Sequence, residues 1–142
     1  KKEWEQFYKN GGIILADRYT AANMIHQSVK IQDPVQREEY LAWLWDFEFN
    51  IFGLPKPDCV VFLDMPPVYS ERLIKNRSNK ITGNQEKDIH ERDTSYLEQS
   101  YRAALWLSEK YGWHRVKCVD EEEIRSIEDI HNEVFSIVNK YI

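Results

Sequence analysis

The sequence predicts an α/β fold in which helices cover both faces of a parallel, doubly wound sheet. Three short apolar runs, at 13–16, 59–63 and 116–119, have the length and composition of buried strands. Segments with helical periodicity separate these runs, and this alternation is typical of parallel sheets. A chain of 142 residues is within the size of one domain, so 1–142 is predicted to be a single α/β unit.

Composition narrows the classes of function. A hydrophobic content of 42% and an aromatic content of 13% are typical of a globular protein. The formal net charge of -5 argues against nucleic acid as a partner, although a local group of cations can still bind an anionic nucleotide. No apolar run approaches the ~18 residues of a membrane span and no signal peptide opens the chain, so we expect a cytoplasmic protein without a membrane partner. Cys59 and Cys118 lie in apolar runs and are predicted to be buried thiols in a reducing compartment.

The first elements are a helix, a strand and a second helix. Lys1–Asn10 carries aromatic residues at helical spacing, and the two glycines after it can end that helix. The apolar run 13–16 stops at the charged pair Asp17-Arg18, and Thr20–Lys30 has the pattern of a helix. A strand followed by a polar tip and a helix is where an open α/β sheet presents functional groups. The charged pair is consistent with such a site and equally with a solvated strand end.

The next helix has clear boundary signals. Asp33 is a candidate N-cap followed by proline, and Gly53 follows Phe52 at the predicted end of the helix. Glu48 falls inside the apolar stripe of this helix. We interpret Glu48 as a carboxylate bonded to a backbone group or a neighbouring cation, in preference to a catalytic group.

A second strand and a loop follow. The prolines within 54–58 predict an extended connector, and 59–63 is a continuous apolar run that ends at Asp64. A short helix is predicted over 68–77. Residues 78–87 have no apolar periodicity, which predicts a mobile loop.

The last part of the chain alternates in the same way. We predict a long helix over 91–111, a strand over 116–119 and a final helix over 127–141. Ser126 and Asp129 have the spacing of the capping box that begins a helix.

Two motifs carry a resemblance to a known family. DRY at 17–19, followed by Asn23, His26 and Gln27, resembles the thymidylate kinases, which phosphorylate deoxythymidine monophosphate (dTMP) with ATP. The run GLPKPDCVVFLDMPP at 53–67 resembles the second landmark of that family. The likeness covers nearly the whole chain and implies the fold of a P-loop kinase.

The phosphate-binding loop of such kinases is not found in the sequence. Its pattern, G-x-x-x-x-G-K-[ST], holds the donor phosphates, and no glycine here has that spacing. In the family this loop follows the first, central strand, so the chain resembles the C-terminal two-thirds of a kinase, with the N-terminal strand and the P-loop absent. The resemblance implies that the complete protein uses ATP, dTMP and Mg²⁺ bound with ATP, and forms a homodimer. The chain by itself is expected to be inactive.

The resemblance also assigns roles around the phosphate acceptor. Arg18 is the residue implied to hold the acceptor phosphate, because a guanidinium can bond two phosphate oxygens at once. Asp17 either orients the site through Mg²⁺ or water, or holds Arg18 in place, and both roles remain open. Asn23 matches the position that pairs with the thymine ring in some members, and its amide offers a donor and an acceptor to an imide edge. Tyr19 is counted among the substrate-binding residues.

Three further positions complete the implied acceptor site. His26 takes the place of an aromatic residue beside the sugar, although a lone histidine on a helix is often structural. Gln27 resembles a glutamine near the same pocket, and Glu91 resembles a glutamate near the acceptor.

Basic residues surround the loop at 78–87. Such a group is usually solvated surface, but in this family it describes a lid that closes over the donor phosphates. Arg72, Arg77 and Lys80 are the predicted ATP and lid residues, and Arg77 is the one chosen to stabilise the transferring charge. The loop over 120–125 is where the family places the adenine base.

Two other functions are weighed against this one. A deoxynucleoside kinase shares the fold, but those enzymes favour an arginine where this chain has Asp64. A nucleotide-binding module without turnover would keep affinity for nucleotides and lack the P-loop. Assays with thymidine and with dTMP would separate the two kinases.

Overall fold

The structure is a computed structural model that describes residues 2–75 and 94–142. Its helices in chain order are α1 (Lys2–Lys9), α2 (Thr20–Ser28), α3 (Pro34–Trp45), α4 (Pro67–Lys75), α5 (Thr94–Tyr111) and α6 (Ile127–Val138). Its strands are β1 (Val61–Asp64), β2 (His114–Lys117), β3 (Val119–Asp120) and β4 (Glu123–Ile124). The predicted lid over 78–87, together with Arg77, Lys80 and Glu91, lies outside the described residues.

The central sheet is parallel. β1 and β2 run side by side, with Val61 opposite His114 and Asp64 opposite Lys117. Helices α4 and α5 connect the two strands along the chain; α5 packs against β1, and α6 packs against β2. Parallel neighbours need a crossover of this kind. The α/β class and the parallel pairing are therefore confirmed, and the doubly wound arrangement stays a prediction.

The third predicted strand is interrupted after Lys117. β3 and β4 form a short antiparallel ladder in which Val119 pairs with Ile124. Cys118 lies between the two ladders and donates its backbone N–H to the Asp64 carbonyl at 2.9 Å. This hydrogen bond keeps the start of the hairpin attached to the end of β1.

The predicted strand at 13–16 is not formed. The segment is irregular, and none of the described strands pairs with it. Ile13 and Leu15 are 59% and 92% exposed. A strand is held by hydrogen bonds to a neighbouring backbone, and within 2–75 and 94–142 no strand supplies them, so these apolar side chains face solvent.

Local signals set the ends of several helices as predicted. The Asp33 side chain accepts the backbone N–H of Gln36 at 2.8 Å at the start of α3. Ser126 accepts the N–H of Asp129 at 3.1 Å at the start of α6. Gly53 has a φ of +56°, a left-handed conformation that suits glycine at the end of a helix.

Helix α3 continues into a π-helical turn instead of staying α-helical to Phe52. The turn spans Asp46–Ile51, and the Phe52 N–H donates to the Phe47 carbonyl, five residues earlier, at 2.9 Å. A π turn changes the direction of the side chains within and after it, and such turns are frequent at functional sites. Glu48 and Phe49, both in this turn, are only 6% and 7% exposed.

The main apolar core lies between α2, α3 and α5. Its buried side chains are Met24, Leu41, Leu44 and Leu107. Full burial of a side chain of this size contributes about 1.5–3 kcal/mol, so the core holds α2 firmly against the other two helices. That placement matters because most of the predicted acceptor residues lie on α2 or at its start.

The cysteines are placed partly as predicted. Cys118 is buried, whereas Cys59 is half-buried. Burial raises the pKa of both thiols, which favours the protonated form. None of the helices in the described part of the chain is long and apolar enough to cross a membrane.

Candidate functional site

The predicted acceptor residues begin at the entrance to α2. Asp17 and Arg18 are exposed, and Arg18 has a φ of 66°, a left-handed conformation that is uncommon for residues other than glycine. Tyr19 is half-buried and donates its hydroxyl to the Pro55 carbonyl at 3.1 Å, which ties the start of α2 to the connector after α3. Backbone conformations of this kind cluster at functional sites, so Arg18 is a candidate independently of any motif.

Arg18 and His26 come together along α2. Nη2 of Arg18 lies 2.5 Å from Nε2 of His26, and Nδ1 of His26 lies 3.0 Å from the hydroxyl of Tyr96 on α5. Because a guanidinium only donates, Nε2 accepts, and the imidazole proton on Nδ1 donates to Tyr96. The His26 and Tyr96 rings are also stacked, with centroids 6.1 Å apart. The exposed guanidinium has five N–H groups, so donors remain for an anionic ligand.

Asn23 is exposed on α2 and is joined to a buried carboxylate. Its Nδ2 donates to Oε1 of Glu48 at 2.8 Å, so the hydrogen bond links α2 to the π turn. Glu48 is also close enough to affect two tyrosines. The pKa values of Tyr19 and Tyr40 are both raised. Burial of the hydroxyl is the larger cause, and the negative charge of Glu48 is the second.

The partner of Glu48 was not found from the sequence, and the type of partner expected there is wrong, whereas the preference for a non-catalytic role stays a prediction. Its side chain accepts from the amide of Asn23, not from a backbone group or a cation. The available signal was an acidic residue within an apolar stripe. Pairing two positions 25 residues apart depends on the packing of α2 against α3, which no local pattern specifies.

The other predicted residues lie apart from this cluster. Gln27 is exposed and accepts from Nζ of Lys30 at 2.9 Å on the last turn of α2. Arg72 is exposed on α4, with its guanidinium carbon 5.1 Å from the centroid of the Tyr69 ring. The structure thus brings Arg18 and His26 into contact and does not join Gln27 or Arg72 to them. The substrate contacts proposed for these residues stay predictions.

A second polar cluster lies at the carboxyl end of β1. Asp64 is 4% exposed, accepts the Tyr101 hydroxyl at 2.7 Å and pairs with Nε of Arg115 at 2.6 Å. Burial and the hydrogen bond to Asp64 raise the pKa of Tyr101 to about 12. This cluster connects β1, β2 and α5. Sequence reasoning placed Asp64 at a strand end but missed both partners, which lie 37 and 51 residues further along the chain.

A shallow cavity of about 470 Å³ lies beside the second cluster. Its lining comes from β2, the β3–β4 hairpin and α6, and consists of Arg115, Lys117, Val119, Asp120, Arg125 and Glu133. The Arg125 guanidinium donates to Glu133 and to the Lys117 carbonyl, both at 2.6 Å. The loop over 120–125, which the resemblance assigns to the adenine base, therefore borders a cavity of mixed charge.

The chain has recognisable similarity to known proteins, although no protein-family model matches it. It is 28% identical over 130 residues to "Probable thymidylate kinase" of Thermococcus onnurineus (strain NA1), covering 92% of this chain and 53% of that protein. It is 29% identical over 134 residues to "Probable thymidylate kinase" of Thermococcus gammatolerans, and the match covers 94% of this chain and 54% of that protein. It is 28% identical over 101 residues to "Thymidylate kinase" of Mycobacterium tuberculosis (strain ATCC 25618 / H37Rv), and the match covers 71% of this chain and 46% of that protein.

These similarities confirm the resemblance predicted from the two motifs. The chain spans about half the length of the curated relatives it matches. The match extends over most of the chain itself, through both polar clusters described above. The chain is therefore similar to proteins named thymidylate kinase, and the similarity supports a nucleotide kinase family.

Proposed function

We propose that the complete protein containing this chain is a thymidylate kinase, which transfers the γ-phosphate of ATP to dTMP and gives dTDP. The observation that carries the proposal is the arrangement at the start of α2. There the exposed guanidinium of Arg18, on a left-handed backbone just before α2, precedes the exposed amide of Asn23 in the first turns of that helix. Relatives named thymidylate kinase support the assignment.

In this proposal the acceptor nucleotide lies along α2. Arg18 bonds the phosphate of dTMP, since charge-assisted bonds from a guanidinium suit a phosphate. Asn23 contacts the thymine ring, and His26, stacked on Tyr96, lies beside the sugar. Phosphoryl transfer depends mainly on positioning and charge stabilisation, and these three residues supply the positioning of the acceptor.

The donor side of the proposed site depends on segments beyond those described. ATP would be held by a P-loop on a strand between 13–16 and β1, and by the lid with Arg72, Arg77 and Lys80. Leu15 and Leu63, which are 92% and 52% exposed, leave apolar surface that further segments of the complete protein would cover. With that strand added, the sheet would have the doubly wound arrangement predicted from the sequence.

Mg²⁺ enters the proposal only as the ion that accompanies ATP. Within 2–75 and 94–142, no three His, Cys, Asp or Glu side chains come together as metal ligands. Mg²⁺ in nucleotide sites is usually held by one or two carboxylates together with the phosphates, so a contact from Asp17, directly or through water, stays part of the proposal. When bound with ATP, Mg²⁺ neutralises charge on the phosphates.

A second copy of the complete protein is the proposed partner. The outer side of α3 and the π turn exposes Trp43, Ile51 and Phe52, at 53%, 65% and 55%. The Phe47 ring stacks on the Trp43 ring, with centroids 5.0 Å apart, and its centroid lies 4.4 Å from that of Phe52. The exposed rings therefore form one continuous surface. Exposed apolar surfaces of this kind are typical of protein–protein contacts, and the predicted homodimer would cover this one.

Initial rates with two acceptors test the proposed reaction. The complete protein is assayed for ADP formation with ATP and either dTMP or thymidine. We expect turnover with dTMP and none above background with thymidine. Turnover with thymidine and none with dTMP would establish a deoxynucleoside kinase instead. Binding of dTMP without turnover in the presence of ATP and Mg²⁺ would establish a nucleotide-binding module.

A further inference from the structure

The hydrogen bond between Asn23 and Glu48 joins an exposed amide to a buried carboxylate. We infer that Glu48 is a positioning residue, which holds the Asn23 carboxamide in one orientation and thereby sets the pyrimidine edge that α2 recognises. The inference rests on the proposed function for the identity of the ligand. It adds a residue from the π turn to a site that otherwise lies on α2.

The chemistry of the pair determines the orientation of the amide. A carboxylate can only accept hydrogen bonds, whereas a carboxamide has a donor end and an acceptor end. Glu48 therefore selects the orientation in which Nδ2 of Asn23 points inward, as observed at 2.8 Å. Oδ1, on the other branch of the carboxamide, is left as an acceptor. Asn23 is an exposed residue of α2.

Glu48 is held firmly enough to impose this choice. Its residue is 6% exposed, and the neighbouring Phe49 is 7% exposed. The Glu48 carbonyl also accepts the backbone N–H of Leu54 at 3.0 Å, which anchors the π turn to the connector that follows it. Asn23 is exposed, so in this pair the buried carboxylate is the fixed member and the amide adapts to it.

The Glu48 carboxylate forms no ion pair with the cations of residues 2–75 and 94–142. Its charge instead lies near the hydroxyl groups of Tyr19 and Tyr40. Burying a carboxylate without a cation costs stability, and an apolar residue would suit the surrounding stripe better. A role in orienting Asn23 accounts for an acidic residue at this position.

The fixed amide favours one class of nucleobase. Thymine and uracil carry an N–H between two carbonyl groups, and that N–H can donate to an outward Oδ1. Cytosine has an unprotonated ring nitrogen at the same place, so two acceptors would face each other and neither would be satisfied. Glu48 therefore acts through Asn23 to favour imide-bearing pyrimidine nucleotides over cytidine nucleotides.

The direct test compares dTMP with dCMP as acceptors for the complete protein. Wild type and Glu48→Gln are assayed for kcat/KM with each nucleotide, and dissociation constants are measured in parallel by titration. A glutamine of the same shape can present either an acceptor or a donor to Asn23, so we expect the preference for dTMP to fall about three- to tenfold. Glu39→Gln, an exposed change on α3, is the matched control and should leave the preference unchanged.

A reciprocal exchange separates positioning from folding. Asn23→Asp alone places two carboxylates together and should abolish most of the preference. Adding Glu48→Gln to it restores a donor and an acceptor across the pair at unchanged total charge, with a carboxylate oxygen still facing outward. We expect this double variant to recover a clear part of the preference for dTMP lost in Asn23→Asp. A purely structural Glu48 gives no such rescue.

The outcomes distinguish this inference from the proposed function. If wild type phosphorylates dTMP and Glu48→Gln keeps the full preference, the role of Glu48 is overturned while the function stands. A double variant that is no better than Asn23→Asp also overturns it. If wild type does not phosphorylate dTMP, the proposed function fails, and the dissociation constants for dTMP and dCMP then decide the role of Glu48.

Discussion

The two buried carboxylates of this chain are satisfied in different ways. Asp64 is 4% exposed and receives a cation and a hydroxyl, from Arg115 and Tyr101. Glu48 is 6% exposed and receives the amide of Asn23, an exposed residue. The first arrangement joins β1, β2 and α5 through the two oxygens of one buried carboxylate. The second leads from the interior to the surface, which is the expected form of a group that positions a ligand contact.

This difference assigns the two clusters to different tasks. Changes in the Asp64 cluster should act mainly on stability, because both Asp64 oxygens and the Tyr101 hydroxyl bond within the cluster. Changes around Arg18 and Asn23 should act mainly on the acceptor nucleotide. The following substitutions, all in the complete protein, test that division from the largest expected effect to the smallest.

Arg115→Met should cause the largest loss of stability. The substitution leaves the Asp64 carboxylate buried without its cation, which costs about 3 kcal/mol of unfolding free energy. This value is the low end of the range for buried pairs, because the Arg115 side chain is 37% exposed. Denaturant unfolding measures the change. Arg102→Met is the control, since its contact with Glu98 lies on the surface, and it should leave stability nearly unchanged. Equal losses in the two variants would show that the Asp64 pair is not a stabilising centre.

Arg18→Ala should weaken productive use of dTMP while leaving ATP binding nearly intact. Loss of charge-assisted bonds to a phosphate costs about 1.5–3 kcal/mol, which is about 10- to 150-fold in kcat/KM for dTMP. Initial rates and ATP titration measure the two effects, with Arg102→Ala as a surface control. An unchanged kcat/KM would remove Arg18 from the acceptor site.

Tyr101→Phe should lower stability by about 1 kcal/mol, because Asp64 loses one hydrogen bond. It should also change the pH dependence. The folded pKa of Tyr101 is about 12, above its ordinary value of 10.0, so its contribution is complete below pH 10.0 and is lost as the pH rises toward 12. Unfolding free energies across that range should therefore fall less steeply in Tyr101→Phe than in wild type. Parallel curves would mean that Tyr101 is not held protonated by Asp64.

Asn23→Ala should have the smallest effect, and a selective one. It should weaken dTMP about fivefold while leaving deoxyribose 5-phosphate, which lacks the base, nearly unchanged. Titrations of both ligands measure this difference. Asn50→Ala is the matched control, because Asn50 is exposed and bonds only locally, to Asp46 at 2.7 Å. If Asn23→Ala weakens both ligands equally, Asn23 is structural and the division between the clusters fails.

Features set by local chemistry could be predicted from the sequence. The Asp33 cap, the end of the helical segment at Gly53 and the helical pattern of α2 depend on neighbours within one or two turns, and all three are present. Arg18 and His26, which belong to the same motif, also lie in contact, whereas their contacts with a substrate stay predictions.

Features set by distant partners could not be predicted. The run 13–16 has the composition of a strand, but a strand also requires a neighbouring backbone, and the described chain provides none. The π turn at Asp46–Ile51 arises within a segment whose sequence is equally suited to an α-helix. The contacts of Glu48 and Asp64 join residues 25 to 51 positions apart, so they depend on how the elements pack.

A crystal structure of the complete protein with dTMP tests the central claim most directly. We expect the phosphate of dTMP within ion-pair distance of the Arg18 guanidinium, and the ring N–H of thymine donating to Oδ1 of Asn23 while Nδ2 still donates to Glu48. Binding of dTMP elsewhere, for example in the cavity beside Arg125, with Arg18 and Asn23 left without ligand, would contradict an acceptor site on α2.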